Sequence, residues 1–134
     1  MVALLSFFAT RRQCTTTLLA ATTGDTGPAA VQAVSDIGNP LLNILVHFPK
    51  GQISTFQRKQ LTTVQSPCVK VATFEGGGDD MDLPIKNLLT QQQQDGENGA
   101  TRSTRLSGVN SYNIGRPLMQ MVHFVSYCCV FLLL

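Results

Sequence analysis

The sequence has few charged residues for a chain of its size. Charged side chains make up 13% of the 134 residues, whereas soluble domains average about 25%. Hydrophobic residues make up 43%, which places the chain among globular proteins and argues against a disordered one. The length allows one domain at most. One explanation for so little charge is that part of the surface normally packs against other protein.

The sequence also lacks any concentration of positive charge. The formal net charge is +2, and the largest basic cluster is Arg11-Arg12. Nucleic acids and acidic membranes are bound by clustered lysine and arginine side chains. The composition therefore argues against both kinds of partner.

The sequence lacks the cysteine and histidine spacings of a metal site. No Cys-x-x-Cys pair occurs, and neither His47 nor His123 lies at ligand spacing from a second donor. We therefore predict no metal and interpret the cysteines as buried, reduced thiols, which are typical of an intracellular, cytoplasmic protein. The cysteines are Cys14, Cys68, Cys128 and Cys129.

Neither end of the chain has the features of a targeting or membrane segment. No basic region precedes the apolar stretch after Met1, and Arg11 and Arg12 follow it, which argues against a signal peptide. The run from Pro117 to Leu134 is long enough to span a membrane, but polar residues interrupt it and no basic residue anchors its end. A buried core helix is favoured over a small tail-anchored membrane protein. The interrupting residues are Gln120, His123 and Ser126.

Strand and helix patterns alternate three times in the first 90 residues. Apolar, β-branched runs predict the strands, and Ser54 with Gln57 forms a capping-box pattern at the start of a helix. Apolar strands joined by helices are typical of a parallel sheet that is covered on both faces. We therefore predict an α/β fold of three layers, with helices on both faces of a parallel sheet. The expected elements are a helix ending near Arg12, strands at 15–22, 42–46 and 68–74, and helices from about Pro28, Ser54 and Met81.

The alternation stops at a polar, low-complexity segment that begins with four glutamines at Gln91. Beyond it, Leu118, Val122 and Val125 share one face of a last helix. Pro117 must lie in the first turn of that helix, because further inside it would break it. The predicted organisation is an alternating α/β lobe over 1–90, a polar loop over 91–108, and an Asn-Ser-x-Asn-x-x-Arg segment with an apolar C-terminal helix over 109–134.

The most informative stretch is a glycine-rich turn after the first predicted strand, Thr22-Thr-Gly-Asp-Thr-Gly-Pro-Ala-Ala30. A turn that exposes backbone N–H groups just before a helix favours the binding of an anion. The pattern is neither a Walker A motif nor a G-x-G-x-x-G, however, and tight turns also need glycine for steric reasons alone. From the residues by themselves, both interpretations remain open.

Four motifs occur in a fixed order along the chain. The glycine-rich turn has Thr23 and Pro28 where the related pattern Ser-Gly-Asp-Thr-Gly-Ser-Ala-Ala has serines. Together the motifs resemble those of the threonine synthase family of fold type II pyridoxal-phosphate enzymes, above all its threonine synthase-like branch. The other three are Phe48-Pro-Lys-Gly-Gln-Ile-Ser54 with Gln57 and Gln60-Leu-Thr-Thr63, Glu75-Gly with Asp79-Asp-Met-Asp-Leu-Pro-Ile-Lys86, and Asn110-Ser-Tyr-Asn-Ile-Gly-Arg116.

The resemblance implies the small lobe of a fold type II enzyme, truncated at both ends. It implies phospho-lyase chemistry on O-phosphohomoserine or a related phosphorylated hydroxy-amino acid, with pyridoxal phosphate as cofactor. The cofactor-binding residues would be Thr23, Gly24, Asp25, Thr26 and Gly27. The residues that contact or orient the substrate phosphate or carboxylate would be Lys50, Asn110, Asn113 and Arg116.

Several of these residues also have a purely structural interpretation. Lys50 lies in a Pro-Lys-Gly turn where it is expected to be solvated, and Arg116 lies at a helix start. Asn113 fits a helix cap. His123 is adjacent to the apolar stripe and is interpreted as a packed side chain in preference to a general base.

One part of the family pattern is absent from the sequence. The family's cofactor lysine lies in a Phe-Lys-Asp segment one helix before the glycine-rich loop, and this sequence begins inside that helix. None of its lysines has that context, and Pro117 interrupts a helix that the family continues. We therefore expect a fragment with no catalytic residue, inactive as a short chain. The lysines are Lys50, Lys59, Lys70 and Lys86.

An alternative class of function remains open. The lobe would then be the scaffold of a non-catalytic interaction protein. In either case we expect a missing domain or a protein partner to cover the apolar C-terminal helix, because large exposed apolar surfaces mark interaction sites or aggregation liabilities.

Overall fold

The computed structural model describes residues 1–78, 80–97, 104–109 and 113–132. In this part of the chain each strand is followed by a helix, as the alternating patterns predict. The elements are α1 Val2–Arg12, β1 Thr15–Ala21, α2 Thr26–Ile37, β2 Leu42–Pro49, α3 Thr55–Thr62, β3 Val69–Phe74, α4 Leu83–Glu97, β4 Thr104–Gly108 and α5 Gly115–Leu132.

The four strands form one parallel sheet in the order β3-β2-β1-β4. Leu18 of β1 lies between Ile44 of β2 and Ser107 of β4, and Val46 of β2 pairs with Val71 of β3. The strand order reverses at β1, because the chain adds β2 and β3 on one side and β4 on the other. In open parallel sheets, ligands bind at the carboxyl ends of the strands next to such a reversal.

The sheet separates two apolar cores. Alternate side chains of β1 point to opposite faces, so Leu18 belongs to the larger core and Leu19 to the smaller one. Helices α1, α2 and α3 cover the larger core, and α4 covers the smaller one. The three-layer α/β arrangement is therefore confirmed. The fully buried side chains of the larger core include Leu18, Val31, Val34, Leu42, Ile44, Val46 and Leu61.

Local signals at the helix ends agree with the sequence, with one shift of position. The Ser54–Gln57 capping box is present at the start of α3, and Gly38 ends α2 with a φ of +60°, which favours glycine. Pro28 is the third residue of α2 and not the first, because the helix begins at Thr26. Proline is tolerated at either position, since no N–H of the first helical turn has a partner within the helix.

The structure differs from the loop predicted over residues 91–108 at both ends of that range. Helix α4 continues to Glu97, and Thr104–Gly108 form the edge strand β4. One glutamine of this run has a clear structural role. Gln92 Nε2 donates to the Leu106 carbonyl at 3.0 Å, and Gln92 Oε1 accepts from the Leu106 N–H. β4 was missed because its residues are mostly polar, as an edge strand allows.

Helix α5 has Pro117 in its first turn, as predicted. The apolar side chains of its described part, up to Val125, are exposed, however, including Phe124 at 70%. The prediction of a buried core helix is therefore wrong for this chain, and His123 is exposed instead of packed. Within the described residues, no helix is both long enough and apolar enough to cross a membrane. The exposed apolar residues of α5 are Leu118, Met119, Met121, Val122, Phe124 and Val125.

Candidate functional site

The glycine-rich loop lies at the carboxyl end of β1, next to the reversal of strand order. Its conformation is fixed by Thr22, which is only 2% exposed. The Thr22 Oγ1 accepts hydrogen bonds from the N–H groups of Gly24 and Gly27, both at 3.2 Å, and donates to the Gly24 carbonyl at 2.9 Å. A single buried hydroxyl therefore determines the path of the loop from strand to helix.

Gly27 is required where α2 approaches the sheet. A Cβ atom at this position would lie 2.4 Å from Thr22 Cγ2 and 3.2 Å from Val46 Cγ1, which is closer than side-chain atoms pack. Gly24 is different, because the nearest atom to an added Cβ would be Gln57 Nε2 at 4.0 Å. The steric interpretation of the glycines therefore holds for Gly27 and leaves Gly24 unexplained by packing.

Three N–H groups of the loop, those of Thr23, Asp25 and Thr26, have no hydrogen-bond partner in the part of the chain that the structure describes. Thr23, Asp25 and Thr26 are also exposed. These groups stand at the positive end of the α2 dipole, where backbone N–H groups are suited to an anion.

Lys50 is placed by a tight turn at the end of β2. The Gln52 N–H donates to the Pro49 carbonyl at 3.2 Å, and Gly51 supplies the positive φ of +75° that this turn requires. The Lys50 Nζ lies 2.9 Å from Glu75 Oε1, and both side chains are mostly exposed, at 70% and 77%. Lys50 is thus solvated, as one interpretation expected, but it is paired with a carboxylate that the sequence did not single out as a partner.

The loops that follow β1, β2 and β3 meet at the carboxyl ends of these strands. Gln52 Nε2 donates to the Gly76 carbonyl at 3.3 Å. A Cβ on Gly78 would lie 3.3 Å from Thr23 Cγ2 and 3.4 Å from Gln52 Oε1. The glycine-rich loop and the Lys50 turn are therefore parts of one surface, and the glycines after β3 allow that close approach.

Asn113 connects β4 to α5. Its Oδ1 accepts from the Gly115 N–H at 2.9 Å, and its Nδ2 donates to Ser107 Oγ at 3.3 Å and to the Gly108 carbonyl. This side chain is therefore occupied by local structure, which agrees with its interpretation as a cap. Asn110 lies outside the described residues, as does the side chain of Arg116.

Two residues of the site were not predicted as such. Thr22 holds the loop, and Gln57 donates from Nε2 to Asp25 Oδ1 at 2.9 Å.

Within the described residues, no three His, Cys, Asp or Glu side chains lie together as a metal site. Cys14 and Cys68 are half-buried thiols, and Cys128 and Cys129 have side chains outside the described part.

Comparison with known proteins agrees with this arrangement. No family model matches the chain. Human threonine synthase-like 2 is 35% identical over 124 residues, which are 92% of this chain and 24% of that protein. Threonine synthase from Pseudomonas aeruginosa is 32% identical over 107 residues, which are 80% of this chain and 21% of that protein.

Solved structures show the same likeness. Threonine synthase from Brucella melitensis with bound pyridoxal phosphate superposes with a TM-score of 0.72 at 28% identity, over 97% of this chain and 26% of that one. The yeast enzyme gives 0.71 at 26% identity, over 92% of this chain and 24% of that one. The fold of this chain is thus that of one part of the threonine synthase structures.

The chain belongs to the threonine synthase family. It spans about a quarter of the length of the relatives that it matches.

Proposed function

We propose that this chain is the small lobe of a threonine synthase-like phospho-lyase that acts on O-phosphohomoserine or a related phosphorylated hydroxy-amino acid. The observation that carries the proposal is the glycine-rich loop at the carboxyl end of β1, where three N–H groups have no partner among the described residues. The chain that contains this loop matches threonine synthase-like 2 over 92% of its length. The reduced thiols expected for Cys14 and Cys68 support a cytoplasmic location.

The loop is suited to hold pyridoxal phosphate without a covalent bond. The backbone N–H groups of Thr23, Asp25 and Thr26 would bind an anionic group, and the absence of a side chain at Gly24 leaves room for the ligand. Gly27 serves the loop by allowing α2 to approach the sheet. When bound, the cofactor supplies an electron sink for elimination, and this chain's residues bind and orient the reactants.

Substrate binding is assigned to Lys50, Asn110, Asn113 and Arg116. The Lys50 ammonium lies on the same loop surface as Thr23 and would attract the phosphate or carboxylate of the substrate. Asn113 would act indirectly, because its amide already holds the junction of β4 and α5. Asn110 and Arg116 are proposed from the family motif alone.

We infer further that the 134 residues alone do not catalyse the reaction. The Phe-Lys-Asp motif does not occur among them. Lys50 is paired with Glu75. Lys70 is the second residue of β3 and so lies near the amino end of that strand, away from the loops at the carboxyl ends. Lys59 lies in the second half of α3, away from the helix start that contacts Asp25.

Titration of the purified chain with pyridoxal phosphate tests both statements. Backbone N–H resonances of Thr23, Asp25 and Thr26 should shift on addition of the cofactor, whereas borohydride reduction and mass mapping should label no lysine stoichiometrically. A Lys50→Ala variant serves as the control for labelling. Stoichiometric labelling of Lys50 that this variant abolishes would show that the chain has its own attachment point. Unchanged loop resonances would contradict the assignment of the cofactor site.

A second candidate function is that of a non-catalytic interaction protein. The exposed apolar side chains of α5 favour it, because a stable monomer rarely exposes so continuous an apolar surface. A missing domain or a protein partner would cover this helix. Hydrogen exchange would distinguish the two proposals: if the isolated chain binds the cofactor at its loop while α5 stays unprotected, the lobe of an enzyme is favoured over a scaffold.

A further inference from the structure

The Asp25 carboxylate is not used to cap α2, although Asp25 is the N-cap residue. A side chain at this position normally accepts from the N–H of the second or third helical residue. Here the second residue is Gly27, whose N–H is bound by Thr22, and the third is Pro28, which has no N–H. The sequence of the first turn thus leaves the carboxylate with no capping role.

Gln57 binds this carboxylate from another helix. Its Nε2 donates to Asp25 Oδ1 at 2.9 Å across 32 residues of sequence. The orientation of the Gln57 amide is set by the capping box, in which Oε1 accepts from the Ser54 N–H at 3.1 Å and the Gln57 N–H donates to Ser54 Oγ at 3.1 Å. With its oxygen committed to Ser54, the amide presents its nitrogen, and therefore a donor, to Asp25.

We propose that Gln57 is a positioning residue for the anion-binding loop. Gln57 holds one oxygen of the Asp25 carboxylate. The carboxylate therefore does not rotate toward the N–H groups of Thr23 and Thr26, where it would compete with an anionic ligand for their hydrogen bonds. The second carboxylate oxygen, Oδ2, has no partner in the described part of the chain and is left to accept a hydrogen bond from the ligand.

The ligand class that fits is an anion with a hydrogen-bond donor beside its charge. The loop N–H groups would bind the anionic group, and Asp25 Oδ2 would bind the donor. This inference rests on the proposed function for the identity of the ligand, but the role of Gln57 in fixing the loop does not depend on it.

The decisive variant is Gln57→Glu. Glutamate is as good as glutamine at the third helical position of a capping box, so α3 should keep its start. The variant lacks the donor to Asp25 and places a second carboxylate against it. Gln60→Glu is the matched control, because it adds the same charge one turn later on the same helix, at an exposed residue with no hydrogen bond to Asp25 among the described contacts.

In the ligand-free chain, Gln57→Glu should shift the N–H resonances of Gly24, Asp25 and Thr26 and speed hydrogen exchange in the loop, while the Ser54–Gln57 capping signals persist. Asp25→Asn should in turn shift the side-chain amide resonances of Gln57. Gln60→Glu should leave all of these signals in place. Loop resonances that are unchanged in Gln57→Glu, or changed equally in Gln60→Glu, would overturn the proposal.

Inorganic phosphate and pyridoxal phosphate are the ligand probes. Loss of one hydrogen bond to a charged group near the surface should weaken binding about fivefold in Gln57→Glu relative to Gln60→Glu. Equal affinity in the two variants would contradict the positioning role. If neither probe binds the unsubstituted chain, the proposed cofactor site fails, whereas the ligand-free spectra still decide whether Gln57 orders the loop.

Discussion

Gly27 and Thr22 are in such close contact that a methyl group on Gly27 would stand 2.4 Å from Thr22 Cγ2. This contact joins the end of β1 to the first turn of α2. The position of the glycine-rich loop therefore depends on how closely Gly27 packs against Thr22. We therefore expect the loop and the core to respond together to substitutions here.

Gly27→Ala should destabilise the fold by about 2 kcal/mol, because overpacking a dense interior forces displacement of neighbouring atoms. Urea unfolding monitored by circular dichroism measures the change. Gly24→Ala is the control and should alter the free energy of unfolding by less than about 0.5 kcal/mol, since its Cβ would meet no atom nearer than 4.0 Å.

A double variant makes this steric argument sharper. Thr22→Ser removes the Cγ2 atom and keeps the hydroxyl, so Gly27→Ala should cost less in its presence than alone. Equal costs in the two backgrounds would mean that the contact with Thr22 is not the source of the destabilisation.

Thr22→Val should destabilise the chain by about 2 kcal/mol, although the side chain keeps its shape. The substitution removes the oxygen that accepts from the N–H groups of Gly24 and Gly27, and a buried N–H without a partner loses the free energy of its hydration. Amide hydrogen exchange at Gly24 and Gly27 should accelerate. Thr22→Ser retains the acceptor and should preserve their protection; if it accelerates exchange as much as valine does, the hydroxyl is not what orders the loop.

Glu75→Gln should leave stability nearly unchanged, because the Lys50–Glu75 pair is exposed and such pairs contribute little. It should increase phosphate affinity by about two- to threefold at low ionic strength and much less at high ionic strength, since the released Lys50 charge is screened by salt. Asp36→Asn, near the other end of α2, removes the same charge and is the control. A similar gain in that variant would point to net charge instead of Lys50.

Val122→Glu with Phe124→Glu should reduce self-association of the chain without lowering the unfolding free energy of the sheet, because both side chains are exposed on α5. Light scattering after size-exclusion chromatography and binding of a hydrophobic dye measure the effect. Loss of the cooperative unfolding transition in this variant would show instead that α5 packs on the lobe. Asn87→Glu on α4 controls for an added charge on an exposed helical surface.

The sequence was most informative where structure depends on neighbours along the chain. Ser54 and Gln57 are three residues apart, so their capping box was visible as a pattern in the sequence. The bond from Gln57 to Asp25 spans 32 residues and requires that α2 and α3 lie side by side. No local pattern carries that information.

The wrong predictions for β4 and α5 have a different cause. β4 is polar because it lies at the sheet edge, and the glutamine run before it was interpreted as low complexity although it continues α4. The exposure of α5 could not be predicted from its sequence, because an apolar helix indicates burial but does not show which surface would bury it. The site residues taken from the family motifs stay predictions, and Asn110 and the side chain of Arg116 lie outside the described residues.

The pairing of Gln92 with Leu106 has a consequence for how the molecule behaves in solution. Both backbone groups of Leu106 that β4 would offer to another strand are occupied by a side chain of the same molecule. Sheet edges whose N–H and carbonyl groups are open recruit strands from other copies and lead to fibrous aggregates. Gln92 thus blocks the addition of another strand at Leu106. Gln92→Ala would expose these two backbone groups and should promote fibrous aggregation of the chain.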